Sequence, residues 1–172
     1  MAPRVILIGP PGAGKTTIGE VLSQNLGVNF SDSDQMIEDE EKRSISEIFV
    51  DQGEKYFREI EKRVVLNAIR NADGVLALGG GAPLSEDVQS ALKSAEVPVV
   101  YLEVSLATAA PRIGFNRDRP LLLGNPRAQW NELLEVRRPI YEDVASKIVN
   151  VDQGTPSEIS EFIRREISGD KS

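Results

Sequence analysis

The chain contains no cysteine and no histidine. Without cysteine there is no disulfide framework, no thiolate zinc site and no thiol nucleophile. Without histidine, Ser-His-Asp hydrolysis, imidazole-ligated zinc and imidazole acid–base catalysis are excluded. Any chemistry must run on carboxylates, lysine, arginine, hydroxyls, backbone amides or an added metal ion. Aromatic residues are scarce, at 5%, with a single tryptophan. No apolar run approaches the roughly 18 residues of a membrane span. The N-terminal run Val5 to Ile8 is too short for the apolar segment of a signal peptide, so a cytoplasmic location is expected. Basic residues are outnumbered, 20 to 27, giving a net charge of −7. That balance argues against a general nucleic-acid binder, which needs positive surface to displace counterions.

What is present is ordinary in amount and specific in arrangement. A length of 172 residues predicts one domain, 1–172, with enough chain to bury a real core. Short apolar runs alternate with amphipathic stretches. Strands are expected at Val5–Ile8, Val28–Ser31, Val75–Leu78, Val97–Leu102 and Ile148–Val151. Helices are expected over 15–26, 34–41, 46–70, 85–94, 105–111, 127–146 and 156–168. Such alternation predicts an α/β protein, a parallel sheet with helices on both faces. Thr155-Pro156-Ser157-Glu158 has the spacing of a capping box with proline at the first helical position. Pro111 lacks an amide proton and is expected to end or kink the helix from about Ser105.

Charge is unevenly spread. Between Arg112 and Arg138 lie six arginines, no lysine and three acids, so this segment is +3 and the remainder −10. A solvated helix face would explain charge, but not the choice of arginine each time. Arginine is preferred over lysine where planar, bidentate recognition of phosphate or carboxylate matters.

Gly9-Pro10-Pro11-Gly12-Ala13-Gly14-Lys15-Thr16 fits G-x-x-x-x-G-K-S/T, directly after an apolar strand and at the head of an amphipathic helix. That context is what turns the pattern into a phosphate-binding loop. Glycines let successive backbone amides wrap phosphate oxygens, and the helix N-terminus adds its dipole. Lys15 is placed to reach the β and γ phosphates and Thr16 to ligate Mg²⁺. No aspartate has glycine three residues later and no N-K-x-D occurs, which disfavours a GTPase switch. A small-molecule kinase is the leading expectation.

Asp32-Ser33-Asp34 closes the second expected strand. Ligands in open α/β sheets gather beyond the carboxyl ends of strands, so one carboxylate there could orient metal-bound water and the other could receive a substrate hydroxyl. The plain alternative is a turn with a helix cap. Gly79-Gly80-Gly81 follows a strand, where three glycines permit close approach of backbone to a ligand. Phe57 and Arg58 sit on a long helix. Their default places are core and surface, with Arg58 beside Glu61 or its Lys-rich neighbours.

These motifs together resemble the bacterial, monofunctional shikimate kinases over nearly the whole chain. The resemblance rests on the phosphate loop, Asp32-Ser33-Asp34, Gly53-Glu54 leading to Phe57-Arg58 and Glu61, Gly79-Gly80-Gly81, Arg119-Pro120-Leu121-Leu122, and Arg137-Arg138-Pro139-Ile140-Tyr141. It implies a three-layer α/β/α fold like that of the nucleoside monophosphate kinases, with a five-stranded parallel sheet. A substrate-binding helical region would span about 34–61 and a lid about 113–125. The activity implied is ATP-dependent phosphorylation of the shikimate 3-hydroxyl by a monomer, with Mg²⁺. Lys15, Asp34 and Arg119 are the implied catalytic residues. ATP contacts would come from Gly12, Ala13, Gly14, Lys15, Thr16, Thr17, Arg112, Arg119 and Pro156, with Arg112 packing on adenine near Pro156. Shikimate would be held by Asp34, Phe49, Phe57, Arg58, Gly79, Gly80, Gly81 and Arg137. Thr16, and Asp32 through water, would hold the metal. The matching places Arg137 rather than Arg138 on the substrate, and Arg119 rather than Arg117 on the phosphoryl group. A related metabolite kinase, such as a gluconate kinase, and a non-catalytic nucleotide-binding regulator are the alternatives. The intact Lys15, Thr16, Asp34 and Arg119 disfavour the regulator.

Overall fold

The computed structural model describes residues 2–113 and 125–169. In chain order the elements are β1 (Pro3–Ile8), α1 (Lys15–Leu26), β2 (Phe30–Asp32), α2 (Ser33–Glu41), α3 (Ile45–Asn71), β3 (Gly74–Ala77), a 3₁₀ turn (Ala82–Leu84), α4 (Glu86–Ser94), β4 (Val99–Glu103), α5 (Leu106–Ile113), α6 (Pro126–Val144), β5 (Lys147–Asn150) and α7 (Pro156–Ile167). The five strands form one parallel sheet in the order β2-β3-β1-β4-β5. Successive strands are joined by helical crossovers, which is what parallel pairing requires. β1 is central, and Val5 through Ile8 are fully buried because helices cover both faces.

From β1 the chain builds β2 and β3 on one side, then crosses to β4 and β5 on the other, so β1 pairs with both β3 and β4. The loops after β1, β2 and β3 therefore open together at the carboxyl end of the sheet, where a crevice forms at such a reversal. The main core joins the sheet to α1, the later part of α3, α4, α5, α6 and α7, while Ile37, Ile48, Phe57 and Ile60 form a separate cluster between α2 and the earlier part of α3.

Three local expectations change. The stretch over 46–70 is not one helix: Gly53 adopts φ 86°, ψ 170° inside α3. Only glycine takes that conformation without strain. The break lets the first segment fold back, bringing the Phe49 and Phe57 ring centroids to 4.9 Å. Pro111 does not end α5, which runs two residues further, to Ile113. The helix expected over 34–41 begins one residue earlier, at Ser33, and its cap is Asp32, whose side chain accepts from the amides of Asp34 and Gln35. The capping box at Thr155 and Glu158 forms in full. Strand ends shift by one or two residues, as at β2, where Phe30–Asp32 pairs with Val75–Ala77.

Candidate functional site

The loop from β1 into α1 lines a cleft of about 350 Å³ at the carboxyl end of the sheet. Gly12, Gly14, Lys15, Thr16 and Thr17 face it, joined by Asp32, Asp34, Gly79, Arg112 and Pro156. Gly14 is the N-cap of α1, with φ 89°, a left-handed turn that aims the first helical amides at the cleft. The Lys15 ammonium donates to the carbonyls of Gly9 at 2.7 Å and Pro10 at 3.1 Å. Arg112 is exposed at the rim and donates to the Gly12 carbonyl at 3.2 Å. Ala13 is buried beneath the loop, and its amide donates to the Pro10 carbonyl at 3.2 Å.

Asp32 has two jobs, one per oxygen. Its Oδ1 accepts the Asp34 amide at 2.8 Å, and its Oδ2 accepts the Thr16 hydroxyl at 2.9 Å. Hydroxyl and carboxylate oxygens are the hard donors Mg²⁺ prefers. Among the described residues there is no cluster of three or more potential metal-binding acids. That donor set fits a magnesium ion shared with substrate phosphates rather than caged by protein.

The three glycines after β3 explain themselves by what stands opposite each. A Cβ on Gly79 would run into the Asp34 carboxylate, and one on Gly81 into the Arg58 guanidinium. One on Gly80 would lie 3.2 Å from an Arg137 terminal nitrogen. Each missing side chain thus leaves room for one charged group. Two pins hold the glycine strip in place. The Gly79 amide donates to the buried Ser33 hydroxyl at 2.9 Å, and the Tyr141 hydroxyl donates to the Gly80 carbonyl at 2.7 Å. Burial pushes the Tyr141 phenol up to about 12, against the opposing pull of Arg137. It therefore stays a protonated donor.

The charges beside the strip are poorly solvated. Arg137 and Glu61 are each only 4% exposed. Arg58 donates to Glu61 at 2.8 Å and lies 5.4 Å from the Phe57 ring centroid. Burial pushes the Glu61 carboxyl above its ordinary range, the Arg58 charge pulls it back, and the Asp34 charge adds to the rise. Arg137 Nε is buried and has no hydrogen-bond partner among the described residues. A cation with an unused buried donor suits an anionic ligand group, such as a carboxylate.

Sequence reasoning thus named residues that the fold assembles into two adjoining clusters. One holds the phosphate loop, Asp32, Arg112 and Pro156. The other holds Asp34, Phe49, Phe57, Arg58, Gly79, Gly80, Gly81 and Arg137. Arg117, Arg119 and the Pro120-Leu121-Leu122 run lie outside the described residues. Three residues escaped the sequence reading. Ser33 was visible only as the spacer between two aspartates. Tyr141 was visible as a motif position without a task. Trp130, whose indole N–H donates to the Pro11 carbonyl at 2.9 Å across 119 residues of chain, carried no local signal.

The family model for shikimate kinase matches residues 11–168. A shikimate kinase of Streptomyces coelicolor is 47% identical over 160 residues, covering 93% of this chain and 92% of that protein. The solved structure of shikimate kinase from Acinetobacter baumannii in complex with shikimate superposes with a TM-score of 0.91 at 37% identity, covering 99% of this chain and 96% of that one. A gluconokinase from Sinorhizobium meliloti aligns with a TM-score of 0.52 at 17% identity, covering 97% of this chain and 90% of that one, a likeness of fold alone.

Proposed function

Because the chain belongs to the shikimate kinase family, we propose a division of labour among its residues. The reaction is ATP-dependent phosphorylation of the shikimate 3-hydroxyl to shikimate 3-phosphate, a step toward chorismate and the aromatic amino acids. The observation that carries the site assignment is the glycine strip Gly79-Gly80-Gly81, faced in turn by Asp34, Arg137 and Arg58. A carboxylate-bearing polyol needs such a set: cations for its carboxylate, an anion for its hydroxyls, and no side chains on the floor.

In this reading the amides from Gly12 to Thr17 cradle the phosphates, and Lys15 moves from the loop's own carbonyls to the transferring group. Asp34 holds the shikimate hydroxyls and takes the proton from the attacking one. Arg137 and Arg58 grip the carboxylate. Phe49 and Phe57 cover the apolar side of the ring. Arg112 and Pro156 flank the adenine. Arg119 joins Lys15 in neutralising the phosphoryl group. Phosphoryl transfer asks mainly for positioning and electrostatic stabilisation, so a chain without histidine or cysteine is equipped for it. Thr16, and Asp32 through water, would hold Mg²⁺, which would supply positive charge against the phosphates. Among the described residues no helix is long and apolar enough to cross a membrane. A cytoplasmic monomer working on two diffusible small molecules completes the proposal.

The test is ADP release, coupled to a reporter reaction, with shikimate, gluconate or no acceptor, each with and without Mg²⁺. Turnover should require both shikimate and Mg²⁺. Equal ADP release without an acceptor, or with gluconate alone, would overturn the substrate assignment.

A further inference from the structure

Four consecutive carbonyls of the phosphate loop are each held by a donor. Lys15 serves Gly9 and Pro10, and Arg112 serves Gly12. Pro11 is served from far away in sequence by Trp130. Trp130 sits on α6, is 2% exposed, and is the only tryptophan of the chain. Pro10 and Pro11 have no amide hydrogen, so the Gly9–Pro10 and Pro10–Pro11 peptide planes can be held only through their carbonyls, that of Pro10 also by the Ala13 amide. Acceptance at the carbonyls is the remaining handle.

The Pro11–Gly12 peptide is the one whose orientation matters most. A trans peptide is planar, with its C=O and N–H pointing opposite ways. Holding the Pro11 oxygen against Trp130 therefore turns the Gly12 N–H away from the indole. Gly12 has φ 87°, a conformation with few alternatives for other residues but many for glycine. Left unheld, this peptide could flip at little cost. Gly12 also lies close against α5: a Cβ there would meet Ala109 at 2.9 Å. Backbone thus packs on one side of the loop while the indole fixes the twist.

We propose that Trp130 is a positioning residue for phosphoryl transfer. Its indole N–H holds the Pro11 carbonyl outward and so aims the Gly12 amide at the phosphate being transferred. The proposal rests on the reading that this loop holds the phosphates of ATP. It makes α6 a shared support, since the same helix carries Arg137 and Tyr141 to the glycine strip.

Because there is one tryptophan, biosynthetic replacement changes one position. Two analogues separate shape from the N–H. 5-Fluorotryptophan keeps the indole N–H. Benzothienylalanine keeps the bicyclic shape and replaces the N–H by sulfur. The benzothienyl enzyme should show a kcat lower by about three- to ten-fold, the worth of one net hydrogen bond. Its shikimate Kd, measured by calorimetry without nucleotide, should be unchanged. The 5-fluoro enzyme should keep wild-type kcat. Equal kcat in the two analogues would overturn the proposal, as would a benzothienyl enzyme in which shikimate Kd weakens as much as kcat falls. Lys15→Ala guards the underlying reading: if that variant keeps ATP turnover, the loop is not the phosphate site. If Lys15→Ala is inactive and the analogues are equal, the loop assignment stands and only the Trp130 role falls. Trp130→Phe, which keeps an aromatic ring, should reproduce the benzothienyl result.

Discussion

On the proposed assignment, eight consecutive residues, Gly9 to Thr16, supply most of the nucleotide half of the site, whereas the acceptor half draws on α2, α3, α6 and the turn after β3. The first half works largely through backbone amides, with lysine and arginine resting on its carbonyls. The second works through side-chain charges in a poorly solvated space, where Glu61 responds to Arg58, Asp34 and Arg137 at once. A site made of backbone is set mainly by the conformation of one segment, here braced from outside by Trp130 and Arg112. A site made of buried charges is set by tertiary packing, and removing one member changes the others. Substitutions in the acceptor half should therefore leave nucleotide binding intact while changing acceptor kinetics and stability together.

The largest effect should come from Asp34→Asn. Asparagine keeps the shape beside Gly79 but cannot take a proton. If Asp34 is the general base, kcat should fall by about 10²–10⁴-fold, while ADP affinity, read by calorimetry, stays within a factor of two or so of wild type. Near-normal turnover would reduce Asp34 to a positioning group.

Two arginines sharpen the same contrast. Arg137 is assigned to a carboxylate whose charge is constant through the reaction, so Arg137→Ala should raise the shikimate KM by about 10–100-fold, more than it lowers kcat. Arg119 is assigned to the phosphoryl group, so Arg119→Ala should lower kcat by about 10²-fold. Lysine at 119 should restore only part, because a point charge lacks the planar fork. Steady-state kinetics on the three variants decide it. The same KM-against-kcat pattern for both alanine variants would erase the distinction between the halves.

The same difference explains what the sequence made legible. The phosphate loop was readable because its chemistry lies in one contiguous segment with a strand before it and a helix after it. The parallel sheet was readable because its strands, buried on both faces, are short unbroken apolar runs, such as Val5 to Ile8. The acceptor residues were named through a family resemblance, but their geometry was not readable. That Gly79, Gly80 and Gly81 each clear space for a different charged side chain depends on how α2, α3 and α6 meet the turn after β3. Nor does any local pattern place Tyr141 on Gly80 or Trp130 on Pro11, since both bonds close over long stretches of chain. Gly53 stood in a helical pattern, and a single glycine there reads as a tolerated defect rather than as a break.

Gly53→Ala probes that break. No atom lies within 4 Å of where its Cβ would stand, so the cost is conformational rather than a clash. Alanine at φ 86°, ψ 170° should destabilise the fold by about 1–3 kcal/mol, read by denaturant unfolding. Phe49 would lose its place over Phe57, so the shikimate KM should rise while the ATP KM stays. Unchanged stability would mean that α3 straightens without penalty.

The smallest effect concerns the buried charge that ties the acceptor half together. Burial raises the Glu61 carboxyl above its ordinary value of 4.5, and Arg58 offsets only part of that rise. A carboxyl raised by folding favours the folded state when protonated. Its contribution is therefore fully present below about pH 4.5 and is lost as pH climbs through the folded-state value. Glu61→Gln keeps the shape and an acceptor for Arg58 but cannot ionise. The melting temperature of the variant relative to wild type should thus improve from pH 4.5 upward, the window in which the native carboxyl becomes charged against the cost of burial. The same variant leaves Arg58 held more weakly, so the shikimate KM at neutral pH should rise modestly while the ATP KM does not move. If the relative melting temperature instead worsens as pH rises, attraction to Arg58 outweighs burial, and the ion pair at 2.8 Å is a net source of stability rather than a device for holding Arg58 beside the glycine strip.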